Sequence, residues 1–268
     1  AIYDCETLQV WLRISESNDG IELNLNNERN ECVKVTKDEW IITKPTSRFY
    51  NPETSRSLAR PVKEGTFDLF RKHFKVKNEA DLKLIIGFIL ASLRPNAPSY
   101  PVLILQGEQG SAKSTTTDMI KMLVDSAKGT RRGLLKNEQD IFIAAKNNHL
   151  VSFDNVSLVK NDISDALCRL ATGGAFSCRS LWTNDGENII ELCRPLILNG
   201  ITDFVTRADL SSRSITIELA PIPDSIRKSE KAVMSEFKSD LPLMMGVLMD
   251  GLVSAIRNIE TIKLDKKP

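Results

Sequence analysis

The run PVLILQGEQGSAKSTTTDMI, residues 101–120, brings together residue types that bind phosphate. Val102 to Leu105 form an apolar, β-prone stretch. A loop opens at Gly107 and continues through Glu108, Gln109, Gly110, Ser111 and Ala112. Lys113, Ser114 and Thr115 follow at once, where a helical pattern begins. In a strand–loop–helix layout of this kind, backbone N–H groups and the positive helix N-terminus wrap the phosphates. The lysine reaches the β/γ pair, and the serine hydroxyl ligates Mg²⁺. The predicted chemistry is therefore nucleoside triphosphate binding with Mg²⁺. One position departs from the usual G-x-x-x-x-G-K-S/T: Ala112 stands where the pattern has glycine.

Such a site needs a carboxylate at a strand end to hold the metal, usually through its water shell. LVSFDN supplies Asp154 at the carboxyl end of a mostly apolar strand. Ligands of open parallel sheets bind outside that edge. Ser114 and Asp154 are the expected Mg²⁺ residues. Asn155 stands where many ring ATPases carry a water-polarising glutamate. An amide orients water but cannot take its proton, so hydrolysis is slow or a base comes from elsewhere. Loose phosphoryl transfer depends more on positioning than on proton removal, and Asn155 does not by itself imply a dead enzyme. PLILNG delivers Asn199 to the same edge, either to touch the γ-phosphate or as a turn residue before Gly200. Arg213 closes the segment Asp209-Leu210-Ser211-Ser212-Arg213, just ahead of SITIEL. It suits a finger presented to a neighbour's γ-phosphate, worth roughly 10³ to 10⁵ in rate, or a surface arginine paired with Asp209. Arg207 is a weaker candidate for the same task.

The elements that must position these groups follow from periodicity. Residues 1 to about 44 are β-rich, with VWLRIS, IELNLN, CVKVT and EWIIT separated by turn formers such as Asn18-Asp19-Gly20. A Pro/Ser/Arg-rich connector, Lys44 to Pro61, crosses to helices at Thr66–Phe74 and Glu79–Leu93. Past the loop, helices and strands alternate, which predicts an α/β fold with a mostly parallel sheet covered on both faces. AFSCRSLW and NIIEL form a hairpin with its turn at Asn184-Asp185-Gly186. The division expected is 1–64 as a β-rich subdomain and connector, 65–220 as the nucleotide core, and 221–268 as a helical lid. The lid run PLMMGVLMDGLVSAI packs either on the core or on a neighbouring subunit or segment.

Composition bounds the partners. The 268 residues carry 36 basic and 35 acidic side chains, a net charge of +1, so no global field favours nucleic acid and any contact is a local patch or a ring lining. Five cysteines without a CxxC pair read as reduced cytosolic thiols rather than a metal site. The longest apolar run, Leu84 to Leu93, is too short to cross a bilayer, and no membrane partner is expected. The chain begins at Ala1 rather than Met and reads as a segment of a longer protein.

The segments GEQGSAKST, FDNVS, SDALCRLATGGAFSCRSLW and RPLILNGI resemble helicase or ATPase domains of phages, prophages and other mobile elements. These are similar to superfamily 3 helicases and their primase-fused relatives within the AAA+ class. The resemblance spans roughly residues 5 to 262, and LCRLATGGAFSCRSLW is its most specific part. It implies an AAA+-type P-loop core with ATP and Mg²⁺ as cofactors, and a homo-oligomeric, hexameric ring acting on single-stranded or forked DNA. It also implies a fused or associated primase, in the cytoplasm of a bacterial or phage-infected cell. Lys113, Ser114, Asp154 and Asn199 carry over as nucleotide-site residues and Arg213 as a finger acting in trans; Asn155 departs from the acidic pair. Minichromosome maintenance helicases similarly carry Ala-Lys-Ser, and alanine fits wherever φ is negative. The family's hairpin grips DNA in the pore. Here Arg179, or Lys160 on a nearby loop, can reach a phosphate, and Arg179 paired with Glu191 in a plain hairpin is the alternative. Trp182 stacks a base or fills the core. Without unwinding activity, the same residues would serve an AAA+ switch or assembly factor; a small-molecule kinase is a third reading.

Overall fold

The computed structural model describes residues 8–179, 187–201 and 203–263. Four short strands come first: β1 (Ile14–Ser17), β2 (Gly20–Asn24), β3 (Cys32–Thr36) and β4 (Trp40–Thr43). They pair antiparallel in chain order. Ile21, Leu23, Val33 and Val35 are buried from this meander.

After the connector come α1 (Asp68–His73) and α2 (Glu79–Ser92). The Asn78 side chain accepts the Asp81 N–H and so satisfies one orphan donor at the start of α2. Then follow β5 (Val102–Gln106), α3 (Lys113–Val124), α4 (Glu138–Lys146), β6 (Val151–Val156) and α5 (Asn161–Thr172). β7 (Gly174–Arg179) and β8 (Glu187–Leu192) form a separate antiparallel pair. β9 (Leu196–Gly200), α6 (Ala208–Ser212), β10 (Ser214–Glu218), a 3-10 turn (Asp224–Ile226) and α7 (Glu230–Asn258) complete the described elements.

β10, β5, β9 and β6 make one parallel sheet in that order. Because side chains alternate along a strand, its two faces feed two cores. Leu103, Leu105, Ile197 and Ile217 face α2, α3 and α7. Ile104, Phe153, Leu196 and Leu198 face α4 and α5. The expected α/β architecture with a parallel sheet between helices is present. The first core runs on without interruption into the N-terminal meander and α7. The apolar run of α7, including Met244, Met245, Leu248 and Met249, is thus spent on packing within the chain. α7 is also long and apolar enough to cross a membrane by length and composition, with half of its most apolar window buried in this fold.

The hairpin turn expected at residues 184–186 and Trp182 lie outside the described residues. The Arg179–Glu191 pair is corrected: register sets Arg179 opposite Glu187 and puts Glu191 opposite Ala175, four residues further along the strand.

Candidate functional site

Residues 107–112 join the carboxyl end of β5 to the first turn of α3. Two glycines let neighbouring backbone and side chain close in. A Cβ on Gly107 (φ +154) would sit 2.3 Å from the Leu219 carbonyl oxygen, and one on Gly110 (φ +85) would sit 2.7 Å from an Nη of Arg227. Ala112 corrects the expectation of a negative φ. It lies at φ +59, ψ 28, in the left-handed region. A left-handed residue followed by right-handed helix is the kind of alternation that makes successive N–H groups converge into an anion-binding concavity.

Lys113 and Ser114, the first residues of α3, face the loop and β6 respectively. Lys113 Nζ donates to the carbonyls of Gly107 at 2.8 Å and Glu108 at 2.9 Å, and reaches Ser111 Oγ at 3.4 Å. Ser111 is itself buried and donates to the Glu108 carbonyl at 2.8 Å. Burial lowers the Lys113 pKa below an ordinary lysine's, while the Asp154 carboxylate works in the opposite direction. Ser114 Oγ donates to Asp154 Oδ1 at 2.7 Å. Glu108 and Gln109 are exposed on the loop, and Thr115 is half-buried.

A bulge in β6 aims Asp154. Phe153 pairs with Leu198 and Val156 with Gly200, so Asp154 and Asn155 together oppose the single residue Asn199. Such a bulge bends its strand and re-aims a side chain. Asn155 takes φ +54, a conformation asparagine tolerates better than glutamate does. Its N–H, displaced from the ladder, donates to Asn199 Oδ1 at 3.0 Å. The other end of that amide, Asn199 Nδ2, donates to Thr117 Oγ1 of α3 at 3.0 Å. Asn199 is only 1% exposed, so it is an embedded bridge between β9, the bulge and α3 rather than a turn residue.

The donor set can be tested against Mg²⁺. A hydroxyl and a carboxylate are hard oxygens, and Mg²⁺ takes one or two of these with phosphate and water completing its octahedron. Among the described residues no three His, Cys, Asp or Glu gather into a cluster. Ser114 and Asp154 therefore fit a metal held jointly with a nucleotide, and not an all-protein cage.

Other candidates lie elsewhere. Arg213 precedes β10, where Ser214 pairs with Val102, so it stands at the sheet edge opposite the loop. It pairs with Asp209, whose carbonyl also accepts from it at 2.9 Å. Arg207 pairs with Asp165 at 3.1 Å. Lys160 is exposed at the start of α5, beyond the bulge. Arg131 bridges Asp118 of α3 and Glu230 of α7, and is thereby a tie between elements. Motif reading passes over Arg227. Its guanidinium pairs with Asp224 at 3.0 Å and donates to the Ile222 carbonyl at 2.8 Å, while the Ile222 N–H donates to the Gly110 carbonyl at 3.2 Å. The segment ahead of α7 thus presents a cation to the loop. Only its position between the last strand and a long helix marks it in the sequence.

No curated protein matches the chain in sequence. Among solved structures it is similar to an apo form of the C-terminal region of NrS-1, with a TM-score of 0.51 at 14% identity, covering 84% of this chain and 66% of that one. A second NrS-1 structure, residues 305–718, gives 0.49 at 13% identity over 91% and 73%. JCV helicase gives 0.40 at 14% over 70% and 54%. The first of these shows a shared fold. The family of actinomycete integrative conjugative element replication proteins matches residues 68–265, a span that holds the loop, Asp154, Asn199 and α7. Since integrative conjugative elements are mobile elements, this agrees with the resemblance read from the motifs, and the chain belongs to the actinomycete integrative conjugative element replication protein family.

Proposed function

We propose that the chain is a Mg²⁺-dependent ATPase that drives DNA unwinding in mobile-element replication, working as a homo-oligomeric ring, a hexamer, in the cytoplasm. The observation that carries this reading is the 2.7 Å contact between Ser114 and Asp154 at the sheet edge where the Lys113 loop opens. The loop N–H groups and Lys113 would hold ATP phosphates, and Ser114 and Asp154 would hold Mg²⁺, which supplies charge neutralisation when bound. Asn199 would keep the β6 bulge in step with α3. Arg227 would act on this chain's own nucleotide. Arg213, on the opposite edge, is out of reach of its own loop and would serve a neighbouring subunit. In this division residues 1–64 brace the core, 65–220 bind the nucleotide, and 221–268 cover it. Single-stranded or forked DNA is the proposed track, contacted by Arg179 or Lys160, with a fused or associated primase.

A DNA-stimulated ATPase rate that vanishes in Lys113→Ala, together with strand separation, is the expected result. The mass of the assembly with ATP, Mg²⁺ and single-stranded DNA tests the ring; a strict monomer throughout would sink it. One observation favours a second reading, a nucleotide-driven switch or assembly factor: the amide of Asn155 replaces an acid beside Asp154. ATP binding with neither hydrolysis nor unwinding would decide for the switch.

A further inference from the structure

A cavity of about 240 Å³ opens at the sheet edge opposite the phosphate loop. Tyr100, His149 and Arg194 line it, each two residues ahead of its strand, β5, β6 or β9. Trp11, Asn96 and Glu191 line it from the N-terminal segment, the α2–β5 link and β8.

Arg194 is the charge to explain. Its Nε donates to the Ala145 carbonyl at 3.3 Å and an Nη to the Cys193 carbonyl at 3.2 Å. Among the described residues it forms no ion pair, although it is half-buried. Burial lowers its pKa below an ordinary arginine's. A guanidinium carries five N–H donors in a fixed fork, so two carbonyls leave most of that fork unmatched. A desolvated cation with no ion-pair partner, on which Asp125 acts only at a distance, favours an anion, and the fork matches a phosphate bidentately. The neighbouring polar groups are already engaged. His149 Nε2 lies 2.7 Å from the Ser92 carbonyl oxygen, and the Tyr100 hydroxyl donates to the Arg94 carbonyl at 2.6 Å. Trp11 adds an aromatic ring of the kind on which bases stack. Asn96 offers an amide, and the exposed Glu191 carboxylate at the rim can accept from an amino group but repels an anion. The volume is below the roughly 300–1,000 Å³ of ordinary ligand pockets, which restricts the occupant to one small unit.

We propose that this cavity is a second ligand site that takes one phosphate-bearing nucleotide unit, its phosphate on Arg194 and its ring against Trp11. The site stands apart from the loop and does not depend on the reading of the loop as an ATPase. The unit is either a free nucleotide or part of a single strand; the chemistry recognised is the same.

Calorimetry and tryptophan fluorescence on Lys113→Ala protein, which lacks the loop lysine, test it with inorganic phosphate, thymidine 5′-monophosphate, and oligothymidylate with and without a 5′-phosphate. Saturable binding of a nucleotide or oligonucleotide is expected, weakened at least tenfold by Arg194→Gln and less by Arg194→Lys. Glu191→Gln, at an exposed position, should tighten binding several-fold, and this arm stays decisive if Arg194→Gln fails to fold. Trp11→Phe should remove the fluorescence change while heat of binding persists. Binding of the monophosphate alone assigns a free nucleotide, and binding of the oligonucleotide alone assigns a strand. The proposal is overturned if no probe binds saturably, if phosphate binds as tightly as the monophosphate, or if Glu191→Gln and, where it folds, Arg194→Gln leave affinity unchanged.

Discussion

Ala112 holds φ +59 with a methyl group that glycine would not carry, and a left-handed L-residue costs roughly 1–2 kcal/mol. Glycine gives back part of that through the greater freedom of its unfolded chain. Ala112→Gly should therefore stabilise the protein by about 0.5–1 kcal/mol and leave nucleotide binding intact; a lower unfolding temperature for the variant would contradict the strain. Asn199 supports the opposite kind of prediction. Its amide satisfies the displaced N–H of Asn155 at one end and Thr117 at the other. Removing it leaves those groups unmatched, so Asn199→Ala should cost about 1–3 kcal/mol in denaturant unfolding. An exposed turn asparagine would cost under about 0.5 kcal/mol, and a loss that small would return Asn199 to that role.

α7 is the element whose packing most constrains the chain. Its Gly246 lies so close to the connector that a Cβ there would fall 1.9 Å from the Val62 carbonyl oxygen. Nearby, the Val62 N–H donates to the carbonyl of Pro242, inside the same helix, at 2.9 Å. Helix propensity alone says that Gly246→Ala should gain roughly 1 kcal/mol. Backbone cannot retreat as a side chain can, and overpacking costs about 1–3 kcal/mol, so a net loss of up to about 2 kcal/mol is expected in thermal unfolding. A gain would show that the helix slides freely over the connector. This contact also marks where sequence reading stops. β5, the loop and α3 were legible because their signals are contiguous: an apolar run, two glycines, then Lys113 and Ser114. Asp154 was legible as the acid that ends an apolar strand. The bulge at Asp154–Asn155 and the left-handed Ala112 were not, because partner strands and converging N–H groups set them rather than local residue types. Arg227 and Gly110 meet across more than a hundred residues with no local pattern to announce it.

A buried ionic cluster ties the N-terminal meander to the far end of α3, the helix that follows the Lys113 loop. Arg13, 1% exposed, reaches Asp125 at 3.1 Å and also donates to Ser55 and to the carbonyls of Asn24, Arg56 and Ser126. Lys121 lies 3.3 Å from the same carboxylate. Burial alone would raise the Asp125 pKa, but Lys121 and Arg13 together hold its carboxyl well below the usual range. Its stabilising contribution is present above the ordinary carboxylate pKa and is lost progressively as pH falls from there through the depressed folded value. His149 acts in a separate, higher window. Burial, with Arg194 adding to it, lowers its pKa from 6.5 to about 4, so the folded chain keeps the ring neutral while the unfolded chain takes up a proton below pH 6.5. Stability is then full above pH 6.5 and falls as pH drops towards 4, by up to about 3 kcal/mol. Denaturant unfolding between pH 7 and 4 checks this: His149→Gln should flatten the slope in that window while leaving the fall below it, where Asp125 is titrated. A slope unchanged in the variant would mean that the acid sensitivity comes from the carboxylates alone.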